Sequence, residues 1–208
     1  MKLRGLYAIV DTTSLAAKAI DPISFAHDVL VAKPAALQLR AKNAGVREVA
    51  RLASRLVAMC SDARVPFVVN DHPAVAWEVG AGFAHLGQED GAQPGIRVEV
   101  GRSTHSCAQL EEALSSKPAY VAYGPIFATS SKKNPSAVVG LEGLREARRV
   151  VRASASPDTP LVAIGGISLE NAAKIAEFAD AAAVIAALIC DDVARRARDL
   201  HAALGGST

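Results

Sequence analysis

The sequence predicts an α/β fold, a single (β/α)8 barrel of the TIM type spanning residues 1–208 as one domain. Three observations carry this expectation. Short apolar runs alternate with segments of helical period along the whole chain, eight such runs can be placed, and polar residues collect just past their C-terminal ends. Half of the 208 residues are apolar and 21% are charged, which suits one buried core and argues against disorder. Ala, Val, Leu and Ile dominate while aromatics are scarce, as expected of helices packed on a parallel sheet.

The predicted strands are residues 6–10, 36–39, 67–69, 83–86, 98–101, 120–123, 161–164 and 182–185. The first apolar run ends at Asp11, and Asp21-Pro22 then reads as an N-cap followed by a first-turn proline. After the second run, Val49, Leu52, Ala53, Leu56, Val57 and Cys60 recur at three- and four-residue spacing, one face of a helix. The connection after Leu86 is different: Gln88 to Ile96 reads as a loop rather than a helix. A doubly wound open sheet is the structural alternative, but neither a GxGxxG turn nor a GxxxxGK[ST] loop is present.

Charge and composition exclude several classes of function. A net charge of +2 with basic residues spread along the chain is a poor match to a phosphate-backbone binder, so no nucleic-acid partner is expected. The longest apolar stretch, Ala181 to Cys190, is too short to span a bilayer, and no signal-peptide pattern opens the sequence. Cys60, Cys107 and Cys190 lack CxxC spacing, which argues against zinc or a disulfide framework and for a reducing compartment. The expectation is a cytoplasmic protein acting on small molecules; nothing in the sequence sets its oligomeric state.

In such a barrel the chemistry gathers at the C-terminal ends of the strands. There the sequence places Gln38, Arg40 and Lys42, which alternate and so project to one side of an extended segment. Arg offers a planar fork and Lys a compact charge, a pairing suited to a diphosphate, although both could be ordinary solvated charge. Asn70-Asp71 and Asp90 follow on neighbouring strand ends. Two carboxylates facing a diphosphate suit Mg2+, which keeps waters and accepts phosphate oxygens. Asp71 before His72-Pro73 could equally be a helix N-cap, and Asp90-Gly91 a turn. Gly165-Gly166 offers backbone N–H groups beside a helix start, a recurrent phosphate site in barrels, or else only a tight turn. His105 could serve as an acid or base but is kept outside the core set.

Taken together, these segments resemble the thiamine phosphate synthase family along nearly the whole chain. The carriers are Gln38-Leu39-Arg40-Ala41-Lys42, Val69-Asn70-Asp71, His85 through Asp90, Ser103-Thr104-His105-Ser106, Gly124 through Lys133, and Ala163 through Ile167. The resemblance implies a transferase that condenses hydroxymethylpyrimidine diphosphate with hydroxyethylthiazole phosphate, releasing diphosphate and forming thiamine phosphate. It implies Asp71 and Asp90 as Mg2+ ligands. Gln38, Arg40, Lys42, Asn70, Ser103 and Lys132 would bind the pyrimidine diphosphate, with Arg40, Lys42, Ser103 and Lys132 as the catalytic set. Thr129 and Ser131 would contact the thiazole phosphate, whose phosphate would sit on Gly166 and the Ile185-Ala186 backbone.

Three positions depart from the family pattern. Ala41 stands where relatives often carry an acidic residue, with its side chain expected to point away from the site. Ala128 replaces a common proline, and Ala186 a common serine, a loss of about 0.5–1.5 kcal/mol if the backbone N–H carries the phosphate contact. The competing readings are a metal-independent thiazole tautomerase, with which His105 is compatible, and a non-catalytic paralogue that binds thiazole phosphate or thiamine phosphate.

Overall fold

The computed structural model describes residues 2–90, 95, 97–129 and 136–207. Its strands are β1 (Gly5–Asp11), β2 (Ala36–Arg40), β3 (Phe67–Asn70), β4 (Phe83–Leu86), β5 (Glu99–Thr104), β6 (Tyr120–Tyr123), β7 (Leu161–Ile164) and β8 (Ala181–Val184). They pair in chain order into a closed barrel, and every strand pair, including β1 with β8, is parallel. The helices are α1 (Thr12–Ala16), α2 (Pro22–Leu30), α3 (Val46–Ala63), α4 (Pro73–Glu78), α5 (Cys107–Ser115), α6 (Gly140–Ala153), α7 (Leu169–Ala176) and α8 (Val193–Ala203). Of the connection from β4 to β5, where the sequence predicts a loop over Gln88 to Ile96, residues 91–94 and 96 lie outside the described residues. No helix among the described residues is long and apolar enough to cross a membrane.

Local chemistry accounts for the helix starts. The Asp21 carboxylate accepts the N–H groups of Ile23 and Ser24 at 3.1 and 2.8 Å, and Pro22 fills the first turn of α2. Helix α3 buries Val49, Leu52, Ala53, Leu56 and Cys60 against the sheet, with Val57 at the margin, as the spacing predicts. It ends where Arg64 turns left-handed at φ 59°.

Because side chains alternate across a strand, each strand feeds two cores. Leu6, Ala8, Val10, Leu37, Leu39, Val69 and Val121 point outward and meet the helices. Tyr7, Ile9, Ala36, Val68, Tyr120, Ala122, Val162 and Ala183 point inward and fill the barrel's lower interior. The same alternation carries Gln38, Arg40, Asn70, His85 and Ser103 inward, above that apolar floor. Ala41 is buried in the outer core, so its side chain does face away from the interior.

Several strands differ from the sequence expectation at their C-terminal ends. β5 runs from Glu99 to Thr104 rather than over residues 98–101, because Gly101 to Thr104 pair with Tyr120 to Tyr123 of β6. Polar Arg102-Ser103-Thr104 look like a loop in sequence, yet they are held as strand by the neighbouring backbone. β2 and β3 likewise extend to Arg40 and Asn70. β8 stops at Val184, and Ile185 leads into a 3-10 turn over Ala186–Leu188.

Candidate active site

The C-terminal mouth of the barrel opens into a cavity whose wall includes Gln38, Arg40, Lys42, Asn70, Asp71, Ser103, Thr129, Gly166, Ile185 and Ala186. The remaining wall includes Ile9, His85, Gly87, His105, Ser136, Ile164 and Gly165. Ten of the site residues that the family resemblance implies therefore meet in one cavity. Ser131 and Lys132 lie outside the described residues. Asp90 is not in the wall itself; its Oδ2 accepts the N–H of Gly87, which is.

Arg40 closes β2 and is held by a residue that sequence reasoning passed over. Its guanidinium Nη1 donates to Oδ2 of Asp11, which ends β1 directly opposite it in register. Asp11 is only 2% exposed, and its other oxygen caps α1 by accepting the Ser14 N–H at 2.8 Å. A buried carboxylate thus positions the arginine on the cavity wall. The available signal was an Asp at the end of the first apolar strand, at the height of Arg40 in the next. Lys42 sits exposed on the turn that follows.

Asp71 follows β3 with a left-handed backbone at φ 63°, its N–H donating to the His85 carbonyl at 2.9 Å. Burial pushes the Asp71 carboxyl above its ordinary range and the Asp90 charge pushes it further, while Lys42 and Arg40 pull it down. The Asp71 carboxyl thus senses the Asp90 charge. Among the described residues no group of three His, Cys, Asp or Glu side chains is poised for a metal. A magnesium ion needs fewer, since one or two carboxylates with water and phosphate oxygens suffice.

Across the mouth, Gly165 and Gly166 make the turn after β7, at φ 102° and 62°. Two backbone bonds, Ile126 N–H to the Ile164 carbonyl (2.9 Å) and Phe127 N–H to the Gly165 carbonyl (3.0 Å), bind the loop after β6 to this turn. A Cβ on Gly166 would fall 2.4 Å from the Ala128 carbonyl oxygen, so only glycine fits. Asn171 Nδ2 donates to the Gly166 carbonyl at 3.0 Å and fixes the turn against the start of α7.

Two histidines reach the cavity. His105 donates or accepts through Nδ1 at 2.6 Å from the Gly124 carbonyl; against a carbonyl it must donate, which leaves Nε2 bare in a neutral ring. His85, which enters the sequence reading only within the His85-to-Asp90 segment, lies inside the barrel. Its Nε2 is 2.8 Å from Ser103 Oγ and its Nδ1 2.9 Å from the Tyr120 hydroxyl. Burial pushes its pKa down to about 4, so the ring is neutral at physiological pH. Counting in twos along β4 from Phe83 places His85 inward, and that was the signal available.

Comparison with known proteins agrees with this geometry. A family profile described as thiamine monophosphate synthase matches residues 6–188. The chain is 42% identical over 145 residues to the thiamine-phosphate synthase of Neisseria gonorrhoeae, covering 67% of this chain and 68% of that one. It is 37% identical over 200 residues to that of Koribacter versatilis, covering 92% of each. In structure it is similar to thiamine phosphate pyrophosphorylase from Pyrococcus furiosus, with a TM-score of 0.82 and 29% identity over 98% of this chain and 96% of the other. Sequence, barrel and cavity point the same way, and the chain belongs to the thiamine monophosphate synthase family.

Proposed function

We propose that this thiamine-phosphate synthase condenses hydroxymethylpyrimidine diphosphate with hydroxyethylthiazole phosphate, by Mg2+-assisted loss of diphosphate and capture of the pyrimidine cation by the thiazole nitrogen. The observation that carries the reading is that one cavity gathers two sets of groups suited to phosphate, from different strand ends. Arg40, Lys42 and Asn70 with Asp71 form one set, and the Gly165-Gly166 turn with Ile185-Ala186 forms the other. A donor and an acceptor that each carry phosphate need two such sets.

Asp71 and Asp90 would hold the metal, which when bound would neutralise charge on the departing diphosphate. Arg40, oriented by Asp11, meets diphosphate oxygens with its planar fork, and Lys42 adds a mobile charge from the mouth. Gln38 and Ser103 lie deeper, where the pyrimidine ring would rest. Thr129 and the turn after β7 place the thiazole so that its nitrogen faces the carbon that loses diphosphate. Ser131 and Lys132, which lie outside the described residues, would add to the anion contacts, as the family resemblance implies.

The alternative of a metal-independent thiazole tautomerase draws on His105, whose bare Nε2 on the cavity wall could move a proton. One assay separates them. Thiamine phosphate is expected from the two substrates with Mg2+ and not with excess EDTA. Folded protein that makes none from verified substrates, yet isomerises the thiazole with EDTA present, would overturn the synthase reading.

A further inference from the structure

Beneath the cavity, five side chains form a continuous buried chain of hydrogen bonds. Gln38 Nε2 donates to the Tyr7 hydroxyl at 2.9 Å, and the Tyr7 and Tyr120 hydroxyls are 2.7 Å apart. The Tyr120 hydroxyl is 2.9 Å from His85 Nδ1, and His85 Nε2 is 2.8 Å from Ser103 Oγ. Gln38 and Ser103, the two ends, line the cavity, whereas Tyr7 and Tyr120 are each 1% exposed and do not. Packing holds the middle of the chain in place. The Tyr120 ring lies over Gly101, where a Cβ would come within 2.1 Å of Cζ, and it stacks on the His85 ring at a centroid distance of 5.6 Å.

Counting protons gives this chain one direction. An amide nitrogen can only donate, so Tyr7 accepts from Gln38. Among the described residues the Tyr7 hydroxyl has no other acceptor than Tyr120, and no buried side-chain polar atom is left without a partner. Tyr7 therefore donates to Tyr120, Tyr120 donates to Nδ1 of His85, and His85 carries its proton on Nε2 and donates to Ser103. The reverse direction would strand the Tyr7 proton inside the barrel, a cost the forward direction avoids. Each link reinforces the next in this dry interior.

We propose that Tyr7, Tyr120 and His85 are positioning residues whose one-way hydrogen-bond chain fixes Ser103 as a donor and the Gln38 carbonyl as an acceptor toward the pyrimidine, and so decides which ring edge the site accepts. Resting on the function proposed above, this adds a specificity determinant, two of whose members, Tyr7 and Tyr120, lie outside the cavity wall. A pyrimidine edge that offers an amino N–H beside a bare ring nitrogen matches the pair. An edge that offers an oxo group beside a ring N–H meets a donor with a donor and an acceptor with an acceptor, and is rejected.

The test has two readouts. In the free wild-type protein, 15N spectra of the His85 ring (assigned by their loss in His85→Gln) should show the proton on Nε2 and a bare Nδ1. Calorimetric binding of amino- and oxo-substituted pyrimidine diphosphates should then favour the amino ring, and Tyr120→Phe should cut that preference about tenfold while leaving affinity for thiazole phosphate within about twofold. Tyr7→Phe, which breaks the chain one link earlier and removes no atom from the cavity wall, should do the same should Tyr120→Phe fold poorly. A proton on Nδ1, or an amino-over-oxo preference unchanged in both folded variants, overturns the proposal. Wild-type protein with the Nε2–H ring that binds neither pyrimidine overturns the function proposed above instead, and the selectivity with it.

Discussion

Replacing His85 with glutamine removes a titratable ring from the barrel interior, and the change should be legible in stability against pH. The imidazole is buried, and burial outweighs the Asp90 charge that favours its protonated form, while Arg102 opposes protonation further. Its pKa falls from the ordinary 6.5 to about 4. As pH drops through 6.5 the unfolded chain takes up a proton here that the folded chain refuses until about 4. The stability that neutral His85 contributes is therefore complete above the unfolded value and drains away toward the folded one. At about pH 5 the loss relative to about pH 7.5 amounts to about 2 kcal/mol. Urea midpoints read this directly: with a slope of about 2 kcal/mol per molar, wild type should lose about 1 M more than His85→Gln between those two pH values. Asp71, whose raised value works in the opposite sense, is present in both proteins and cancels in the difference. Equal acid shifts in the two proteins would refute the reasoning, because they would mean that the His85 ring titrates as it does in water.

Other predictions follow from single contacts. Asp11→Ala breaks the buried partner of Arg40 and uncaps α1, and should cost about 3 kcal/mol in urea unfolding while raising the pyrimidine diphosphate KM; Asp11→Asn should keep the cap and recover part of the stability. Gly166→Ala places a Cβ against the Ala128 carbonyl in a left-handed turn, so steady-state kinetics should show the thiazole phosphate KM rising about tenfold or more with the diphosphate KM nearly unchanged. Asp90→Ala gives up the bond to the Gly87 N–H, worth about 1 kcal/mol, and should leave a folded protein whose turnover no longer responds to added Mg2+.

Much of the site was legible because the chemistry of a barrel lies at strand ends, and strand ends can be found by hydrophobic period. Gln38, Arg40, Lys42, Asn70, Asp71, Ser103, Gly166, Ile185 and Ala186 were reached that way and by family resemblance, and all line the cavity. Where the sequence reading fell short, pairing overrode local composition. Ser103 sits within β5 rather than beyond it, since β6 supplies the backbone partners that a polar segment would not suggest. The mouth also places Asp90 behind Gly87 instead of in the wall.

The order of strands and helices, the buried face of α3 and the cap at Asp21 are local matters, set by periodicity and by side chains that reach their own backbone, so the sequence alone determined them. The Asp11 grip on Arg40 and the chain from Gln38 through Tyr7, Tyr120 and His85 to Ser103 join residues drawn from five strands. Their partners are as many as 113 positions apart in sequence, as Tyr7 and Tyr120 are, and alternation says only that each points inward. Which inward side chains meet depends on how the closed sheet is staggered, and that stagger arises only when β8 pairs with β1.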